Sequence, residues 1–489
     1  MRSAARILGL GLALLAAVLL VRAASFPSRQ LSVEPAPRAP LDAQALATRL
    51  AGGLRFATIS NQDGVGRDDA AFEGLQRYLE QQYPLLHQSF ERERVGDFSL
   101  LYTWRGSDAS QPPVVLMAHQ DVVPVEPGTE SSWEHPPFAG EIDGGFVWGR
   151  GALDDKVNLF GELEAAEALL HEGVRPRRTI LFVFGHDEEL GGAGGAARIA
   201  ALLAQRGLKP LLVVDEGGSI LQGVVPGVTA PVAAVGIAEK GYVSVELEVE
   251  APGGHSATPP AETSIGILAG AVRSLERSPP PARLDGASRM LLELGVGPEA
   301  SLPFRVVYGN LWLLRPLVER VLAGIPATSA MIRTTTALTL FNAGIKDNVI
   351  PSRATAVVNF RILPGDSVES VMTHVRKVVT DPRIRIRIRL VPKQREPSPL
   401  SRMGGEGWEL LARSIREVRP DAIVAPYLML AGTDSRYFCD LSDSVYRFMP
   451  LPLALEDTQR IHGSNERVSV EDYADLVRTY RRLLENAAR

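Results

Sequence analysis

The sequence predicts an α/β protein with a second, α+β unit inserted into it, and three features of the chain carry that reading. Three short apolar runs, Val114 to Ala118, Ile180 to Phe184 and Leu211 to Val214, are continuous rather than alternating, as strands buried on both faces of a helix-covered sheet are. Between the first two, Leu159, Phe160, Leu163, Ala166, Leu169 and Leu170 recur at helical spacing and Gly173 supplies a stop, so Val157 to Leu170 reads as a covering helix. From Glu239 the texture changes. Val243, Val245, Leu247 and Val249 alternate with Ser244, Glu246, Glu248 and Glu250, the pattern of a strand wet on one face.

That change marks the boundaries. A catalytic unit is expected over 41–238 and 394–489, with an inserted lid or dimerisation unit over 239–393. Within the insertion, Val368, Val371, Met372, Val375 and Val379 predict a helix from Ser367. Behind it, Ile384, Ile386, Ile388 and Leu390 alternate with Arg383, Arg385, Arg387 and Arg389; the arginine row reads as a solvated sheet face, with an acidic partner, a dimer mate or a membrane surface as the alternatives. Leu311 to Leu322, with Trp312, Leu313, Leu314, Leu317 and Val318, reads as a packed helix or as the lining of an acyl pocket.

The first 24 residues stand apart. Arg2 and Arg6 precede and open an apolar run from Ile7 to Val21, the grammar of an export signal. Val21-Arg22-Ala23 offers a small-x-small cleavage site, and an uncleaved membrane anchor fits the same residues; 25–40, rich in proline, reads as a tether. The protein is therefore expected to be exported or membrane-anchored. At 489 residues, 45% of them hydrophobic, the chain can build two cores, and a net charge of −5 gives no footprint for nucleic acid. One cysteine, Cys439, excludes an internal disulfide or a thiolate metal cluster and reads as an inert buried thiol.

The chemistry gathers where the strands end. The first apolar run leads into His119-Gln120-Asp121, the second into His186-Asp187-Glu188-Glu189 and the third into Asp215-Glu216, while Asp154 and Asp155 follow a glycine turn at a helix start. In an open α/β sheet such groups converge at the carboxyl ends of the strands. So many carboxylates cannot stay ionised together without a cation. With imidazole and carboxylate donors, zinc leads, and manganese or cobalt also fit the donor types. A pair of ions about 3.5 to 4 Å apart needs a bridging carboxylate, for which Asp154 is best placed.

The strings MAHQDVVP, GRGALDDK, HDEELGG, VVDEGG, GGHSATPP and IHGSNE, in that order, resemble the metallopeptidase family that holds acetylornithine deacetylase, succinyl-diaminopimelate desuccinylase, aminoacylase and glutamate carboxypeptidase. LDDK, AEKG and AGTDSR point to the branch of carboxypeptidase S and the N-fatty-acyl-amino-acid synthase/hydrolases. The resemblance implies two Zn2+ per chain, with His119 and Asp215 on one, Glu189 and His462 on the other, and Asp154 bridging. It implies that Asp121 orients His119, that Glu188 is the general base, and that the Asp154–Asp155 peptide is cis. It also assigns substrate contacts to His255, reaching across a homodimer, and to Asn310, Arg361 and Gly432. The implied activity is hydrolysis of an amide beside a free carboxylate, in an N-acyl amino acid or a small peptide. A dipeptidase of carboxypeptidase S type is the rival within the class, and a non-catalytic binding homologue the rival outside it.

Overall fold

The computed structural model describes residues 2–61, 66–390, 394–454 and 456–489. Its centre is a ten-stranded mixed sheet, counted among those residues. The strand Val114–His119 lies parallel to Ile180–Gly185 on one side and to Leu212–Asp215 on the other, in register from Val114 opposite Ile180 and Leu212. All three run the same way, so their carboxyl ends share one edge. Ser99–Trp104 and Glu91–Val95 extend the sheet antiparallel on one flank, and Val445–Arg447 and Val232–Glu239 extend it on the other.

The continuous apolar runs are explained by two cores. Val114, Leu116 and Ala118 face one side, packed with the helices Lys156–His171 and Val470–Ala487, while Val115 and Met117 face the other, against Ile199 and Leu203 of the helix Ala196–Gln205. The covering helix predicted over Val157 to Leu170 is thus present, one residue longer at each end.

The second sheet holds Thr335–Ala343, Arg353–Ile362, Gly241–Glu250 and Ile384–Ile388 in that order, antiparallel throughout. Val243, Val245, Leu247 and Val249 make its core with the helices Ser264–Arg277 and Val368–Val378, the latter capped by the Ser367 side chain. On the wet face Arg387 meets Glu246 and Glu248 at 2.5 and 2.7 Å, and Arg385 meets Glu250 at 3.2 Å. The arginine row is a cross-strand ion-pair ladder. The expected end of the insertion, at 393, lies outside the described residues.

Two further segments pack against the large sheet and its helices. The short helices between 286 and 331 do not pack on the second sheet; Leu291, Leu292, Val296, Leu311 and Val318 pack with Val232, Ile423 and Ala425 of the large one. Residues 25–40, read as a tether, lie along the body as a strap. Phe26 joins that same cluster, Gln30 exchanges hydrogen bonds with both backbone groups of Val424 at 3.1 and 2.8 Å, and the Ala36 amide donates to the Glu417 carbonyl at 2.8 Å. Ahead of the strap, the helix Arg2–Ala24 is long and apolar enough to cross a membrane.

Candidate metal centre

The shared strand edge brings His119 and the Glu188–Leu190 turn together, and the helix start after Asp155 faces them. The His119 imidazole is buried and aimed at both ends. Its Nδ1 lies 2.9 Å from the Asp121 carbonyl and 3.4 Å from Asp121 Oδ1, and its Nε2 lies 2.9 Å from Asp154 Oδ1 and 3.6 Å from Glu216 Oε1. The other Asp154 oxygen, Oδ2, lies 3.0 Å from Nε2 of His462, which is 3.4 Å from Glu189 Oε1. Two trios of donors therefore share one carboxylate: His119, Asp154 and Glu216, and Asp154, Glu189 and His462, the donor atoms of each within 4.8 Å of one another.

Asp215, expected as a ligand, is not in either trio. Strand alternation sends it to the side of Val213, toward the turn Asp434–Phe438, where its Oδ2 accepts the Ser435 amide at 2.7 Å and its Oδ1 accepts the Glu216 amide at 3.0 Å. The carboxylate facing His119 is that of the next residue, Glu216.

Several backbone contacts fix the site. Asp121 is fully buried and its two oxygens accept the amides of Glu188 and Glu189, each at 3.2 Å. Asp155 Oδ2 accepts the His119 amide at 3.3 Å, and the Asp154–Asp155 peptide is cis. Glu466, which sequence reasoning left without a role, is buried beneath the Asp154 turn. Its Oε1 accepts the amides of Gly151, Leu153 and Asp154 at 3.0, 2.7 and 3.1 Å, and its Oε2 pairs with Arg150 at 2.7 Å. Arg150 in turn donates to the carbonyl of His462, which holds a left-handed φ of 63°. Gly192 sits at a positive φ of 66°, and a Cβ there would fall 1.8 Å from Asp434 Oδ1, so only glycine closes this turn.

The electrostatics match a cation site. Burial pushes the carboxyls of Glu188 and Glu216 well above their ordinary range, and Glu189 and Asp215 also rise for the same reason. Asp434, buried with neither oxygen accepting a hydrogen bond among the described residues, is pushed up to about 8. The imidazoles move the other way relative to neutrality. Asp154 and then Glu189 raise His462 to about 10; burial opposes the charge on His119, but Glu216, Asp121 and Asp154 lift it well above its usual value. Among the described residues, Glu189 Oε1 is buried without a hydrogen bond. Crowded acids, two imidazoles and an orphaned carboxylate oxygen fit divalent cations, and the donor set is of the imidazole and carboxylate kind that zinc takes.

The expected substrate contacts are scattered differently. Arg361 lies over the Tyr242 ring at 5.1 Å, and a second arginine, Arg395, lies over the same ring at 5.6 Å. Neither forms an ion pair among the described residues, and burial lowers both below the usual guanidinium value. A Cβ at Gly432 would come within 3.2 Å of Arg395, so the backbone there lies against this guanidinium. Arg395 follows no motif, and nothing in the sequence marked it. Asn310, expected to touch substrate, has its Nδ2 donating to the carbonyls of Leu19 and Val306 and its Oδ1 accepting the Trp312 indole. His255 is exposed on a two-residue strand, its Nδ1 accepting the Ala257 amide at 3.0 Å. Cys439 is partly buried, its thiol raised by burial.

A mixed sheet flanked by helices, with acids and imidazoles collected at the strand ends, defines a metal-dependent hydrolase. The chain belongs to peptidase family M20/M25/M40, whose family model matches residues 115–486. It is 42% identical over 445 residues to the probable carboxypeptidase S-like 2 of Dictyostelium discoideum, covering 90% of this chain and 85% of that one. It is 41% identical over 448 residues to the mouse (Mus musculus) N-fatty-acyl-amino acid synthase/hydrolase PM20D1, covering 91% and 88%. In fold it is similar to an M20 metallo-carboxypeptidase of Sulfolobus solfataricus, at a TM-score of 0.67 and 18% identity, over 91% of this chain and 99% of that chain. The protein is a metal-dependent amide hydrolase.

Proposed function

We propose that this protein holds two zinc ions and hydrolyses N-acyl amino acids, the acyl group extending to fatty chains. One observation carries the two-ion reading: the oxygens of Asp154 face two different imidazoles, 2.9 Å from His119 and 3.0 Å from His462. In this reading His119, Asp154 and Glu216 hold one ion and Asp154, Glu189 and His462 the other. Such a pair of ions supplies an acidified water and a polarised substrate carbonyl.

The protein's own residues do the rest. Glu188, on a turn anchored by Asp121, takes the proton from the attacking water and returns it to the leaving amine; its burial raises the carboxyl toward the range where it can both take and give a proton. Arg361 and Arg395, without carboxylate partners of their own, bind the free carboxylate of the substrate against Gly432. The substrate class rests on relatives named for N-fatty-acyl amino acids and on carboxypeptidase S-like relatives, which keep a peptide substrate as the second reading. The helix Arg2–Ala24 serves as an export signal or anchor, and the exposed strand Thr335–Ala343, at the edge of the second sheet, is where a second copy joins.

The test compares the neighbouring acids. Glu216→Gln is expected to lose about one of two zinc equivalents and most activity on an N-acyl amino acid, while Asp215→Asn keeps its metal. If Glu216→Gln retains both equivalents, the ligand assignment fails. Rates on an N-oleoyl amino acid and on a dipeptide separate the two substrate readings.

A further inference from the structure

The helix Leu311–Ala323 is apolar on both sides. Leu311 and Val318 pack inward on the large sheet, yet Trp312, Leu313, Leu317 and Val321 point outward and are 59, 40, 59 and 58% exposed. The preceding helix, Leu302–Tyr308, adds exposed Leu302 and Phe304. The charged Arg315 and Glu319 of this helix pair with each other at 2.8 Å, and the contiguous apolar face beside them marks an interaction site.

What covers this face is indicated by its neighbour. The apolar helix Arg2–Ala24 packs beside Leu302–Tyr308, and Asn310 Nδ2 donates to the Leu19 carbonyl at 3.1 Å while Arg22 Nε donates to the Gly309 carbonyl at 3.4 Å. Leu19 lies roughly 8 Å along the helix axis from Ala24, so the body meets this helix inside its apolar run and not beyond its end. Immediately afterwards Phe26 packs half-buried against the body and Gln30 is bound to Val424. No slack separates the apolar helix from the protein. With that helix across a bilayer, the outer face of Leu302–Ala323 is held at the depth where acyl chains meet headgroups, roughly 5 to 10 Å in for interfacial helices. Trp312 is the type of side chain enriched at that boundary, and the exposed Arg320 carries a cation suited to anionic headgroups.

We infer that the outer face of the helices Leu302–Tyr308 and Leu311–Ala323 is a membrane-lying surface, seated in the lipid interface beside the N-terminal helix. It is a contact of the body itself with lipid, separate from anchoring by residues 2–24.

Trp312 reports on it directly, because the other four tryptophans, Trp104, Trp133, Trp148 and Trp408, are buried. The full chain is reconstituted in vesicles of phosphatidylcholine with a minority of phosphatidylglycerol, with or without bromine on the acyl chains. Expected is a blue-shifted Trp312 component that brominated lipid quenches and aqueous iodide does not; Trp312→Phe removes that component. The double change Leu317→Glu with Val321→Glu, both at exposed positions, is expected to abolish bromine quenching while the chain stays in the vesicle fraction and keeps its rate on a water-soluble substrate. Trp312 quenched by iodide and untouched by brominated lipid overturns the proposal. So does protection from iodide that depends on protein concentration in the absence of vesicles, which would assign the face to a second copy.

Discussion

Glu188 and Glu189 are adjacent and chemically alike, and their environments separate them. Glu189 faces His462 with a bare oxygen, while Glu188 is pushed up by burial and by Asp434. Glu188→Gln is expected to lower kcat by about 10²- to 10⁴-fold with zinc content unchanged; a loss of metal in step with activity would make it a ligand instead. The imidazoles give a second expectation. His462 is raised to about 10, so it carries a proton at pH 7 in the metal-free site, and its carboxylate neighbours shift His119 in the same direction; a protonated imidazole cannot ligate. Zinc binding must release protons, and its affinity must fall as the pH falls. Calorimetry at pH 7 in buffers of different ionisation enthalpy measures the release, and its absence would contradict the arrangement of His119 and His462 around Asp154. At this scale the sequence shows residue types and motifs, but not direction. The resemblance chose Asp215 and left Glu216 without a role, because which of the two faces His119 depends on the side of the pleat each falls on and on the Ser435 amide, 220 positions away.

The turn Gly149 to Asp154 is shaped by Glu466, which arrives from the far end of the chain. Glu466→Ala removes the acceptor for three amides and leaves Arg150 buried without its carboxylate, which is expected to cost about 3 to 5 kcal/mol of stability and to weaken zinc binding through Asp154. Glu466→Gln, which keeps an acceptor for the amides, recovers part of both; denaturant unfolding and metal titration on the pair check it. Helices and strands were more legible than such contacts. The run Val114 to Ala118 and the helical spacing from Leu159 to Leu170 announce their elements because both faces of the sheet need apolar side chains. Helix Leu311–Ala323 was equally legible as a helix, but its two apolar faces could not be told apart until one was found against Ile423 and the other in the open.

Across the molecule, Lys240 stands between the strand Val232–Glu239 of the large sheet and Gly241–Glu250 of the second, and its Nζ donates to the carbonyls of Ala330 and Arg333 at 3.0 and 2.8 Å. Burial, and then Arg361, lower it to about 7 from an ordinary 10.5. Between these values the unfolded chain binds more protons than the folded one, so this lysine makes stability rise with pH through that window. Lys240→Met is expected to remove that part of the slope in unfolding curves taken from pH 7 to 10; identical slopes in the two proteins would refute it. The sequence by itself determined the α/β class, the inserted alternating sheet, the apolar N-terminal segment and the collection of acids and histidines at strand ends, because periodicity and strand-end position are local properties. Only the tertiary structure decided that Glu216 faces His119, that Arg395 joins Arg361, that Asn310 bonds the N-terminal helix and that residues 25–40 lie strapped to the body. Each of these depends on which distant backbone groups and side chains satisfy one another, and that is fixed when the chain closes on itself.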